Sequence, residues 1–472
     1  KATSSNAGLR TTYSSNVITN TVSWGNMTND VEDDIYSSYS GTISYCAFTT
    51  DVTGTGNMVL ETANVGGMGP KFVNPTSAAG VSDVVGDYSL LQGSYLINKG
   101  TTSVSYWNPD LAGNERVQQG GIDLGAFESP YAYESPIVPN ANNIIFVKAG
   151  GTGNGSSWEN ATSSLQLALN EAVMMQDKPE VWVKGDTFVG TFKMKEGVDV
   201  YGGFAGNETT LQERDLTLHS TILDGNAAGR VLLQETDFTE TTVWDGFTIQ
   251  NGKFSEVDEV GPAAYLMANS VLRNCEIKNN TAIPKYNYNG VKGGIVMVKG
   301  ATLENCKIHD NASSTNKNCD VFYPAVNLEN GLLKNCEIYD NSNNNTYATT
   351  WGECAGVYAT GSRIESCIIR NNTASGYNAG VRFYGTAESI MVNCLVANNT
   401  AYAYAGVYLE SGVNNVSIIN CDMVGNKNTS SSYGAGLYSN TSSSNNKLIN
   451  SVVWGNKYNS SNSNLYTYYS NG

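Results

Sequence analysis

The chain has 472 residues, a net charge of −16, and 40% hydrophobic but only 15% charged residues, with 49 Gly, 28 Tyr and 10 Pro. That balance excludes a phosphate-neutralising nucleic-acid binder, which needs a basic face. No apolar run approaches the roughly 18 residues of a membrane span. Asn, Ser, Thr, Gly and Tyr replace the missing charge, a profile of short strands and tight turns rather than long helices. No signal-peptide pattern opens the chain and Lys1 starts in mid-pattern, so the expectation is a mature, processed or excised chain.

The first segment is out of its usual place. AGL at Ala7 and NTVSWGN from Asn20 match AGL at Ala435 and NSVVWGN from Asn450, and Trp24 and Trp454 are 430 positions apart. Residues 1–66 are therefore expected to be the terminal rungs of a β-helix, in the phase of a coil nearly finished. Residues 67–130 read as a separate small β-rich module, and YAYESPIVPN from Tyr131 places a linker at 131–141. A new β-helix, 142–472, opens with Ile144-Ile145-Phe146-Val147. SSLQLALNEAV from Ser163 predicts a short helix near 163–175 that caps its first rung.

Beyond residue 270 one motif recurs. It reads NCEIKNN from Asn274, NCKIHDN from Asn305, NCEIYDN from Asn335, SCIIRNN from Ser366, NCLVANN from Asn393, NCDMVGN from Asn420 and NSVVWGN from Asn450. A second motif keeps step: AGVY at Ala355, AGVR at Ala379, AGVY at Ala405 and AGLY at Ala435, with looser versions at Gly293 and Pro324. Cys and Ile alternate with polar residues, which is strand periodicity with the apolar set inward. One such unit cannot bury its apolar face alone, so neighbours stack about 4.8 Å apart. The expected fold is all-β: a right-handed parallel β-helix, or solenoid.

Two ladders follow from that register. Cys275, Cys306, Cys336, Cys367, Cys394 and Cys421 form an interior column of free thiols, because stacked Cβ atoms lie farther apart than a disulfide wants. Ser451 and Thr21 in the same column agree, since neither can bridge. Asn280, Asn311, Asn341, Asn372, Asn399, Asn426 and Asn456 form a second column at a turn, where Asn tolerates left-handed backbone and bonds the next rung. Cys319 and Cys354 lie off the ladder and are the one candidate disulfide. No CxxC pair occurs and only two His are present, so no metal site and no cofactor are expected.

GGTGNGSSWENAT from Gly150 and YGGFAGNETTLQERD from Tyr201 resemble the openings of bacterial right-handed β-helix repeat proteins of the pectate-lyase-like superfamily. GDYSLLQGSYLINKG from Gly86, DLAGNERV from Asp110 and GIDLGAFE from Gly121 resemble the choice-of-anchor Q module of surface-attached proteins, often from Bacteroidota. In those proteins the module follows the helix; here it precedes the main one. The order implies either a fragment of tandem helix-plus-module units or a subunit whose N-terminal rungs dock on another copy's open C-terminal rung.

Many members of that superfamily cleave polysaccharides, so a lyase or hydrolase is one expectation to weigh. A lyase needs acidic Ca²⁺ ligands beside a basic residue. The best candidate stripe is Lys278, His309, Asp310, Asp340 and Arg370, with two carboxylates one rung apart. Asp310 and Asp340 align with Asn279, Asn371 and Asn398, however, which marks a turn position and leaves Lys278, His309, Tyr339 and Arg370 as a solvated column. Tyr358, Arg382, Tyr408 and Tyr438 form an outward column that could bind glycans or another chain. Asp110, Asn114 and Asp123 are a candidate Ca²⁺ set in the module. The preferred expectation is no enzyme, but a secreted structural or adhesive surface protein, a stalk or filament that stacks end to end. A carbohydrate-binding surface protein is the alternative.

Overall fold

The computed structural model describes the chain except for residues 1–7, 12–15, 29–30, 38–40, 66–67, 77–85, 134, 258, 285–292, 316–322, 346–353, 431–432, 442–444 and 468–472. Two compact units divide it, Lys1–Val138 and Pro139–Gly472.

The larger unit is a parallel β-helix. Each coil contributes one strand to each of up to four sheets, as in Ser270–Arg273, Glu276–Lys278, Thr281–Pro284 and Val296–Lys299. The first sheet has 11 strands, from Ile144–Val147 to Lys447–Ile449. The second has 10, from Thr187–Val189 to Val452–Trp454. The third has 9 and the fourth 10, the fourth running from Phe192–Lys193 to Leu465–Thr467. Inward residues stack in register: Ile277, Ile308, Ile338, Ile369 and Val396 are all fully buried. Each buried aliphatic side chain contributes about 1.5–3 kcal/mol.

The corners explain the repeated motif. Its first residue bends the chain between the first and second sheets with positive φ: Asn274 52°, Asn305 54°, Asn335 53°, Ser366 54°, Asn393 56°, Asn420 52°. Its penultimate residue does the same at the next corner: Asn279 56°, Asp310 52°, Asp340 52°, Asn371 56°, Asn398 54°. The left-handed backbone expected at Asn280 and its equivalents thus belongs to the residue before each of them. The ladder Asn instead points inward and is buried. Asn341 shows the pattern. Its Oδ1 accepts from Asn311 N at 3.1 Å and Asn311 Nδ2 at 3.0 Å. Its Nδ2 donates to Ile308 O, Tyr339 O and Asn372 Oδ1 at 2.9, 3.0 and 3.0 Å. The ladder runs unbroken from Asn280 to Asn456.

The cysteine column sits at the first corner. Each thiol of the column donates to a carbonyl of its own rung, and Cys306 shows the added bond to the preceding rung, with Glu304 O and Leu272 O both at 3.4 Å. All eight described cysteines are free and buried. Contact with Cys367 and burial push the Cys394 thiol up to about 12. Cys354 is also a free thiol, bonded to Asn378 Oδ1 at 3.2 Å, while Cys319 lies outside the described residues. In the AGV motif, a Cβ on Gly356, Gly380 or Gly406 would strike the carbonyl of the next motif glycine, so only Gly lets those rungs close.

The one α-helix among the described residues is Leu165–Ala172, inside the expected 163–175. Ser164 caps it, its hydroxyl accepting from Leu167 N at 3.2 Å. Leu165, Leu167, Ala168, Leu169 and Ala172 are all buried. The helix packs on the first strands of the first and fourth sheets, Ile144–Val147 and Phe192–Lys193, so it buries more than one face. That is why its apolar spacing fits no single stripe.

The smaller unit begins with stacked rungs. Leu9–Thr11 pairs in parallel with Ile35–Ser37, and Val17–Thr19 with Thr42–Ser44. Ile43, Cys46 and Phe48 form its core with Leu9, Ile18 and Ile35. Ala7 lies outside the described residues. Further along, Phe72–Asn74 and Asp87–Leu90 form an antiparallel pair.

Truncating a ladder asparagine leaves several buried polar groups without partners, each worth about 1–3 kcal/mol. Asn341→Ala is expected to lose about 3 kcal/mol in urea unfolding. Asn305→Ala, at the exposed outer corner, is expected to lose only about 1 kcal/mol, the cost of left-handed backbone on Ala.

Candidate functional site

Three sets of side chains carry chemistry, and each is held in a different way. The first is the outer column of the second sheet. Lys278, His309, Tyr339 and Arg370 are successive partners in register. The column is less solvated than expected, because His309 is only 8% exposed. Its ring stacks on Tyr339 at 4.6 Å and 11°, and the Arg370 guanidinium lies 4.4 Å from the Tyr339 centroid on a cation–π contact. Carboxylates tie the column down. His309 Nε2 meets Glu276 Oε1 at 3.0 Å and His309 Nδ1 meets Asp310 Oδ2 at 2.7 Å. Lys278 pairs with Glu276 at 2.6 Å and Arg370 with Glu337 at 2.7 Å. Bonds from Lys278 and His309 outweigh partial burial and hold Glu276 below the usual carboxylate range. Asp310 and Asp340 occupy the left-handed corner. The arrangement is an ion-pair ladder whose bases are engaged with their own acids.

The second set is Tyr358, Arg382, Tyr408 and Tyr438. They form one column, as expected, but it is not an open face: their exposures are 1, 3, 7 and 4%. A second aromatic layer covers them. Tyr384 stacks on Tyr358 at 4.0 Å and Tyr404 stacks on Tyr408 and Tyr438 at 4.6 and 4.2 Å. Arg382 pairs with Glu410 at 2.9 Å. The covering rings come from both ends of the AGV strands: Tyr377, Tyr404 and Tyr433 stand two residues or fewer before the motif, and Tyr384 directly follows the strand Val381–Phe383. That recurrence is the sequence signal for the second layer. Burial raises Tyr438 to about 12, so these phenols stay neutral over the whole physiological range.

The third set lies in the smaller unit. Asp110 accepts from Asn114 N at 2.6 Å, Asn114 Nδ2 at 3.2 Å and Glu128 N at 2.8 Å. Asp123 accepts from Asn98 N at 2.8 Å and Ser129 N at 2.6 Å. These carboxylates are braces for backbone amides, and Asn114 is a donor here, so the candidate Ca²⁺ set is spent on loop structure. No group of three or more possible metal ligands occurs among the described residues. Beside them Glu128 accepts from Asp123 N and pairs with Arg116 Nη1 at 3.2 Å. Burial pushes the Glu128 carboxyl up to about 7.

Two measurements follow. Tyr404 contacts four other rings, so Tyr404→Ala should destabilise the larger unit by about 3 kcal/mol in urea unfolding. Glu128 binds its proton more tightly folded, at about 7, than at its ordinary 4.5. Its contribution is therefore complete below about 4.5 and is lost as pH rises through about 7. Thermal unfolding of Glu128→Gln should show a flatter dependence on pH across that window than the parent chain.

No family model matches the chain, and no curated protein matches it. Among solved structures, the crystal structure of pectate lyase Pel9A aligns with a TM-score of 0.34 and 13% identity, covering 68% of this chain and 80% of that one.

Proposed function

We propose that this chain is a non-enzymatic structural or adhesive element of an extracellular surface assembly, a stiff β-helical rod that stacks end to end. The observation that carries this reading is the asparagine ladder, unbroken from Asn280 to Asn456, an interior repeated rung after rung that makes the coil stiff.

Two further facts support the reading. Among the acid–base candidates, Lys278, His309, Asp310 and Arg370 are engaged in ion pairs. No described helix is long and apolar enough to cross a membrane. The resemblance of residues 67–130 to a choice-of-anchor Q module supports surface attachment, in a bacterial setting such as the Bacteroidota.

Electron microscopy of the purified chain without added substrate should reveal rods one β-helix wide that lengthen with concentration. Because each copy carries −16, raising salt from about 0.01 to 0.15 M should lengthen them as the mutual repulsion is screened. Isolated short particles at every concentration would sink the stacking reading.

A further inference from the structure

The place of the cysteine column in the coil needs only a short hydrogen-bonding side chain, as Ser451 shows one rung after Cys421. The Ser451 hydroxyl donates to Ile449 O at 2.8 Å and accepts from Cys421 N at 3.0 Å. Six consecutive rungs nonetheless carry sulfur there, from Cys275 to Cys421. Sulfur adds an affinity for soft metal ions that a hydroxyl lacks.

Stacking sets the geometry of the column. Glu365 pairs with Val392 and Ile368 with Leu395, so Cys367 stacks directly on Cys394. Successive thiols act on one another along the whole column. The rung spacing of about 4.8 Å is too long for a disulfide. It is close to twice a metal–thiolate bond of about 2.3 Å. An ion midway between two stacked sulfurs therefore meets both in a line. Inward side chains stand across the stacking direction, so that line runs near a right angle to each C–S bond, where the sulfur lone pairs lie. No group of three or more possible ligands occurs among the described residues, so none of them completes a tetrahedral shell. Two sulfurs in a line suit a soft monovalent ion that takes two ligands.

One gap in the column is prepared for the charge. Cys336 N donates to Cys367 Sγ at 3.4 Å, and Cys367 N donates to Cys394 Sγ at 3.5 Å. Amide donors stabilise a buried thiolate. Among the described residues no other sulfur of the column accepts a backbone amide. Cys367 is also the one column thiol that donates only within its own rung, to Glu365 O at 3.2 Å, so it gives up least on losing its proton. Both sulfurs are buried, but each follows directly on an exposed corner residue, Ser366 or Asn393, which leaves a short path from solvent.

We propose that Cys367 and Cys394 hold one soft monovalent cation, of the Cu(I) and Ag(I) class, in a linear S–M–S bridge between two rungs. The two thiols release two protons to solvent as the ion enters. The bridge then carries one negative charge, which the amides of Cys336 and Cys367 face, and no electron is transferred. The ligands stand 27 positions apart, so no CxxC spacing marks them in the sequence; the coil alone brings them together. Such a bridge forms within a single chain and is independent of any stacking between copies.

Anaerobic titration of the reduced full chain with Cu(I), in competition with the chelator bathocuproine disulfonate, tests the site. The parent chain should retain one Cu(I), and X-ray absorption should find two sulfurs at about 2.3 Å from it. Joint substitution Cys367→Ser and Cys394→Ser should weaken retention by about a hundred-fold, while the control Cys46→Ser, in the smaller unit, leaves it unchanged. A second readout uses the parent chain alone and does not depend on a variant folding. In moderate urea, Cu(I) should slow iodoacetamide labelling of Cys367 and Cys394 more than that of Cys275. A parent chain stripped bare by the chelator, an ion with three or more sulfur ligands, retention undiminished in the double variant, or labelling of Cys367 and Cys394 that Cu(I) leaves unchanged overturns the bridge.

Discussion

A parallel coil must turn corners against its own core, and at each corner strand pairing stops while the backbone stays buried. Buried amides and carbonyls without partners cost more than most single contacts return. The inward asparagine meets this constraint in each of the regular coils. Asn311, Asn341 and Asn372 each offer one carbonyl to the preceding rung and one amide to the following rung. The residue just before each one takes the left-handed turn that aims it inward. The remaining features of the coil follow from keeping that column in register. The thiol column lies at the neighbouring corner, the aliphatic stack lies between the corners, and the glycine of each AGV motif lets the fourth sheet close to the same spacing.

With the interior repeated so regularly, what distinguishes one coil from another lies outside. The first coils carry aromatic outer residues roofed by the Trp158 loop and the Leu211 turn. The middle coils carry alternating charges that pair between rungs, such as Arg273 with Asp245 and Lys334 with Glu304. The last coils carry an apolar outer stripe of Val392, Ile419 and Ile449.

The fold was legible because it is written locally and repeatedly. Period-two alternation assigns Ile277 inward and Lys278 outward from seven residues, and the motif's return every 27 to 31 residues stacks each copy on the last. The helix at Leu165–Ala172 was legible from its Ser cap and apolar run. Within the larger unit the candidate site was legible as columns, but not as surfaces. Tyr358, Arg382, Tyr408 and Tyr438 do align, yet whether they meet solvent depends on Tyr384 and Tyr404, which reach them from other segments. In the module, Asp110 and Asp123 resemble cation ligands in composition, and only folding shows that their oxygens face N–H donors.

The sequence by itself therefore determined the rung, its inward and outward sets, and the asparagine and cysteine ladders, because each rests on residues two to thirty-one positions apart repeating in step, and the common frame of Trp24 and Trp454, because one motif recurs 430 positions on. The tertiary structure alone decided which outward columns are covered. Burial of an outer face depends on which distant loop folds across it, and no periodicity within the strand records that. Tyr358 and Tyr408 stand at outward positions, and the rings of Tyr384 and Tyr404 decide that they are buried.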